Sequence, residues 1–138
     1  MKYILSIIFC LLSFNVHAEE YLSITLNKSV YVTKDNFKAE ITGLNEKSVQ
    51  YLGLSVEVRQ DNKWVEIRRD TGCPCMAKCK KKATEVPKGL TTIENWEFKN
   101  NKCNIAPPGT YRAVVTGNYV TTLDGNLILG SSREFQIK

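Results

Sequence analysis

From Tyr21 onward, apolar residues return at every second position: Leu22, Ile24 and Leu26, then Phe37, Ala39 and Ile41, then Leu52, Leu54, Val56 and Val58. Period-two alternation puts one set of side chains on one face of a β-strand, whereas a helix needs a stripe repeating every ~3.6 residues. No window of the chain carries such a stripe. Val, Ile, Thr, Tyr, Phe and Trp fill the alternating segments and Gly, Asn, Asp and Pro separate them, as strands and their turns require. The chain therefore reads as all-β. Strands are predicted over Leu22–Asn27, Phe37–Leu44, Leu52–Gln60, Trp64–Arg69, Thr91–Phe98, Thr110–Thr121 and Leu127–Lys138, the last broken near Gly130. Asp61-Asn62-Lys63 and Asp124-Gly125-Asn126 read as hairpin turns, which makes their flanking strands antiparallel. Pro87-Lys88-Gly89 and Pro107-Pro108-Gly109 each end a loop and launch a strand. Seven antiparallel strands of this kind are expected to form a two-layer sandwich.

The first 18 residues read as an export signal. Lys2 supplies the charge, Ile4–Phe14 is apolar except for Ser6 and Ser13, and Val16-His17-Ala18 offers a small-residue cleavage pattern. The apolar run is shorter than the ~20 residues that span a bilayer, so the mature chain is not expected to be membrane-spanning. Phe9 stands before Cys10 where a lipid anchor needs a small residue, so Cys10 is expected to leave with the signal. Residues 19–138 then form a single domain in the periplasm or outside the cell.

Loss of the signal also removes His17, the one histidine of the chain. Ser-His-Asp and Cys-His nucleophiles, a histidine base and histidine metal ligands all go with it. Glu94 and Glu97, three apart on a predicted strand, fall on opposite faces and read as surface charges. No glycine-rich phosphate cradle is present. The chain is expected to be no enzyme and to need no cofactor. Its formal charge of +5 falls by one with Lys2, too mild a balance for nucleic acid, and aromatics for base stacking do not interleave the lysines.

Four cysteines remain: Cys73, Cys75 and Cys79 in one segment, and Cys103. An even number in an exported chain argues for disulfides. A Cys73–Cys75 bridge across Pro74 is strained, which leaves Cys73–Cys79 with Cys75–Cys103, or Cys73–Cys103 with Cys75–Cys79. Either set ties a small rigid loop to the segment before Thr110. The competing chemistry is a Cu(I) or zinc site on Cys73, Cys75, Cys79 and Cys103 with Met76, although the paired spacing of structural zinc sites is missing. Lys78, Lys80, Lys81 and Lys82 crowd the same loop, and Arg68 and Arg69 lead into it. Held in shape by bridges, these cations form a candidate patch for an acidic partner. Trp64 shares a face with Glu66 and Arg68 and is a candidate interface residue, while Trp96 shares a face with Phe98 and reads as core.

The motifs Ile24-Thr25-Leu26-Asn27-Lys28-Ser29-Val30-Tyr31, Lys63-Trp64-Val65-Glu66-Ile67, Pro87-Lys88-Gly89-Leu90-Thr91-Thr92 and Pro108-Gly109-Thr110-Tyr111-Arg112 extend over most of residues 20–138. Together they resemble the bacterial secreted immunoglobulin-like domains related to proteinase-inhibitor modules. The resemblance implies an immunoglobulin-like sandwich, a corner role for the Tyr111 hydroxyl, and binding of another protein as an inhibitor or immunity partner. The cysteine-rich loop Thr71–Lys82 is extra to the family pattern. An envelope metal-binding protein and a subunit of a surface assembly built by strand addition are the alternative expectations.

Overall fold

The computed structural model describes residues 21–46, 48–80, 82–119 and 127–138. The expected export signal with Cys10 and His17, the turn Asp124-Gly125-Asn126 and Lys81 lie outside the described residues.

The alternation read from the sequence gives an all-β structure. Its strands are β1 (Leu22–Leu26), β2 (Val30–Tyr31), β3 (Phe37–Gly43), β4 (Val49–Gln60), β5 (Lys63–Arg68), β6 (Thr84–Val86), β7 (Thr91–Trp96), β8 (Gly109–Tyr119), β9 (Leu127–Ser131) and β10 (Phe135–Ile137). They form a small sheet in the order β1-β3-β7 and a large one in the order β2-β10-β8-β4-β5, with β6 beside β4 and β9 beside β8. No helix of the described residues is long and apolar enough to cross a membrane.

Two expectations need correction. The described residues hold ten strands instead of seven, because β2 and β6 are too short to display alternation and the predicted C-terminal strand is two, β9 and β10. The sheets are also mixed: β2 and β10 run parallel, pairing Val30 with Gln136 and Tyr31 with Ile137. Hairpin turns impose antiparallel pairing only on consecutive strands, and these two lie at opposite ends of the chain.

One apolar cluster lies between the sheets. Phe37 of β3 meets Phe135 of β10 at 5.5 Å between ring centroids, and Trp96 of β7 meets Tyr111 of β8 at 6.1 Å. Tyr31 and Phe98 complete the aromatic group, with centroids 5.6 Å apart. Tilted rings at these spacings attract beyond their burial. Tyr111 is fully buried, yet its hydroxyl donates to the Pro107 carbonyl at 2.5 Å. Burial pushes that hydroxyl up to a pKa of about 12, so it stays a donor at physiological pH. The sheets close on each other where β1 crosses β9. A Cβ added to Gly130 would lie 2.4 Å from the Leu22 carbonyl oxygen, so the close approach of backbones there requires glycine.

Two irregularities position everything that follows. β4 carries one extra residue against β8 between Tyr51 and Leu54, and β5 carries one, Ile67, against β4 between the pairs Glu57↔Glu66 and Val56↔Arg68. An extra residue shifts the alternation by one and turns every later side chain to the other face.

Candidate functional site

Strict alternation along β5 places Arg68 outside, on the face of Trp64 and Glu66. The bulge at Ile67 turns it inward, opposite the core residue Val56. Arg68 is 5% exposed and is no part of a surface patch, which corrects the sequence reading of this residue. Its Nη2 donates to the Cys73 carbonyl and lies 3.9 Å from Glu97 Oε1, while its Nη1 donates to the Asn100 carbonyl at 3.4 Å. One buried guanidinium thus joins the segment after β5 to the segment after β7, with five donors in a fixed plane suited to the task.

The same two segments are joined by covalent bonds. Cys73–Cys79 closes a ring of sequence separation 6, and Cys75–Cys103 spans a separation of 28. Of the two pairings left open by the sequence, this is the one whose small ring runs from Cys73 to Cys79. The Ala77 amide donates to the Pro74 carbonyl at 3.1 Å, so residues 74–77 turn back and carry Cys79 to Cys73. Cys75 then faces the second segment, where Cys103 has φ of 66° and its amide donates to the Asn100 carbonyl at 3.0 Å.

Polar contacts sew the remaining seam. Asn101 donates its amide to the Ile67 carbonyl at 2.8 Å, and its side-chain oxygen accepts from the Arg69 amide at 2.9 Å. Asn100 Oδ1 accepts from the amides of Lys102 and Asn104 at 2.9 and 3.0 Å. Glu97 Oε1 accepts from the Cys75 amide at 2.9 Å. Asn100 and Asn101 are the seam residues that the sequence reading does not single out, although Asn-Asn two residues before a cysteine is a turn signal. Glu97 is no free surface charge, since β7 has ended at Trp96 and Glu97 is turned to the loop.

From this anchored base the loop faces outward. Met76 is 90% exposed with φ of 67°. Lys78, Lys80 and Lys82 are exposed and have no salt-bridge partner among the described residues. Arg69 is exposed at the loop entrance and pairs with Glu66 at 3.0 Å. Trp64 belongs elsewhere: at the hairpin end of β5, the Arg112 guanidinium lies 4.6 Å from its ring centroid and that of Arg59 lies 6.0 Å away. Arg112 is held there by Glu57 at 2.5 Å. The indole face expected to meet a partner is therefore covered by cations of its own sheet. As for the metal reading, all four sulfurs are in cystines and offer no thiolate. Among the described residues no group of three His, Cys, Asp or Glu side chains is arranged to hold an ion. No family model matches the chain, and no curated protein matches its sequence.

Glu94 also departs from the sequence reading. It shares the inner face of β7 with Trp96, half-buried, and accepts the Tyr51 hydroxyl at 3.0 Å. Burial holds its carboxyl above the usual range, the Tyr51 hydrogen bond opposes this, and the charge of Asp70 adds to it. A folded-state pKa above the unfolded one means that the folded chain binds the proton more tightly. The stability linked to it is complete below pH ~4.5 and is lost as pH rises through the folded value. Glu94→Gln is therefore expected to exceed the parent in urea midpoint at neutral pH, with the difference vanishing in acid. The two bridges are also expected to be unequal. Loop-closure entropy makes replacing the Cys75–Cys103 pair by alanine cost about 3.5 kcal/mol, against about 2 kcal/mol for the Cys73–Cys79 pair, in denaturant titrations.

Proposed function

We propose that this chain is an exported, non-enzymatic protein-binding module with an immunoglobulin-like sandwich as its body, acting as an inhibitor or immunity partner through the loop of residues 73–82. The observation that carries the reading is the contrast within that loop. Its base is fixed by two cystines, by Arg68 and by Glu97, yet Met76, Lys78 and Lys80 make no use of that order inside the molecule. Ordering a loop before binding removes an entropic cost that the complex would otherwise carry, and that is the gain a docking surface needs. An unbranched apolar side chain flanked by lysines suits a partner with an apolar notch inside an acidic rim.

The body supports the fold assignment in one further respect. A buried tyrosine that enters a late strand after a Pro-Gly corner and bonds back four residues upstream is the arrangement expected of such sandwiches. Two cystines accord with an oxidising compartment outside the cytoplasm. One observation favours the second reading, assembly by strand addition. β7 is an outer strand of the small sheet and exposes Leu90 just before it and Ile93 within it.

Affinity capture from an envelope extract separates the two. Replacing Lys78, Lys80 and Lys82 together by glutamate is expected to weaken recovery of the partner at least about tenfold, with capture by the parent falling steeply as salt rises. Undiminished capture by that variant, together with loss of capture by Ile93→Lys, would assign binding to the β7 edge and contradict the loop reading.

A further inference from the structure

A second concave site lies on the outer face of the large sheet, where β4 bulges away from β8. It encloses about 460 Å³ and is lined by Gln50, Leu52, Ser55, Asp70, Ala83 and Thr116 among others, a size ordinary for small-ligand sites. Ser55 lies between Leu54 and Val56, both core residues, so its side chain points away from the core and into the groove. Ser55 is 7% exposed, and its hydroxyl makes no hydrogen bond to another described residue. Only Arg68 Nε and Thr71 Oγ1 are fully buried without a partner among the described residues, so the unbonded Ser55 hydroxyl keeps its access to the groove and is free for a ligand.

Asp70 stands beside it by construction. Its φ of 58° folds the chain back after β5, and the Thr71 amide donates to the Leu54 carbonyl at 2.8 Å. Asp70 Oδ1 then occupies the space above Gly53, where an added Cβ would lie 2.3 Å from it. Glycine at position 53 makes room for this carboxylate. Asp70 has no salt-bridge or hydrogen-bond partner for its side chain among the described residues, whereas its neighbour Glu66 is taken by Arg69 at 3.0 Å.

The polar groups left over, the Gln50 side-chain carbonyl included, can all accept a hydrogen bond. The Asp70 carboxylate only accepts, and the Ser55 and Thr116 hydroxyl oxygens can accept, while Leu52 and Ala83 add an apolar wall. The lining guanidinium, Arg69, is already neutralised by Glu66. We infer that this groove binds a donor-only organic cation, an alkylammonium or alkylguanidinium group, with its charge between Asp70 and Ser55 and its hydrocarbon stem along Leu52. An anion would meet an unpaired carboxylate. A free amine and a Lys or Arg side chain presented by another protein carry the same chemistry. The inference does not rest on the loop of residues 73–82.

The test is an amide-resolved NMR titration of the oxidised chain with 1,4-diaminobutane, with agmatine, with a capped lysine-containing peptide, and with 1,4-butanediol as the uncharged control. The cations are expected to give saturating shifts at Ser55, Asp70 and Thr116, and the diol none. Asp70→Asn and Ser55→Ala are expected to weaken binding at least about tenfold, the scale of a lost hydrogen bond to a charged group. Thr116→Val, which keeps the side-chain shape, is expected to weaken it less and serves should either other variant fail to fold. Tighter binding of the peptide than of the free amines would assign a protein side chain as occupant, and the reverse order a small molecule. Shifts that do not saturate at millimolar cation, equal shifts with the diol, or parent affinity in every folded variant would overturn the inference.

Discussion

The organisation of this molecule depends on where one guanidinium is allowed to go. With Ile67 as an extra residue in β5, Arg68 turns from the solvent face to the interior and meets the carbonyls of Cys73 and Asn100. Had the strand stayed regular, the carbonyls of Cys73 and Asn100 would lose this donor, and the contacts of Glu97 and Asn101 alone would hold the two irregular segments in register. The arrangement is not free of cost: Arg68 Nε and Thr71 Oγ1 are buried without hydrogen-bond partners among the described residues. Each such group opposes folding by about 1–3 kcal/mol. The covalent closures contribute about 2 and 3.5 kcal/mol by constraining the unfolded chain, which is the same order. Cystines and buried cation therefore belong to one device, the first offsetting what the second leaves unsatisfied.

That device sits on a body stabilised by other means. The aromatic group between the sheets and the β4–β8 ladder hold the two sheets without help from the described cysteines, which lie in the loops following β5 and β7. A loop can vary in length and sequence on such a body as long as its base is fixed. Each irregularity in β4 and β5 accordingly has a local use. The first opens the groove around Ser55 and Asp70, and the second aims Arg68 beneath the cystines. Bulges placed where side chains must be redirected are more informative than the regular ladder between them.

Most of the ladder was legible in the sequence because period-two alternation is a direct imprint of a half-buried sheet. Leu22, Ile24, Leu26, Phe37, Ala39 and Ile41 are all core as their spacing predicts. The hairpin at Asp61 and Asn62 was legible for a similar reason, since both residues adopt positive φ and Asp and Asn tolerate it well. Legibility ended where alternation was interrupted. Nothing local in Glu66-Ile67-Arg68-Arg69 marks Ile67 as the extra residue, so the sequence alone reads Arg68 as a surface cation and Glu97 as a surface charge. β2 and β6 escaped because two or three residues cannot show a period, and the β2–β10 parallel pair escaped because it joins the two ends of the chain. The cysteine segment was recognised as a rigid loop from spacing alone, but the choice between two pairings needed the turn at residues 74–77.

The centre of this structure is the segment Cys73–Cys79, held rigid in the free chain by its two cystines. Backbone 15N relaxation on the oxidised chain measures this directly. The account predicts order parameters near those of the strands, about 0.85, from Cys73 through Cys79. Values below about 0.6 across that segment, with the cystines intact, would contradict it.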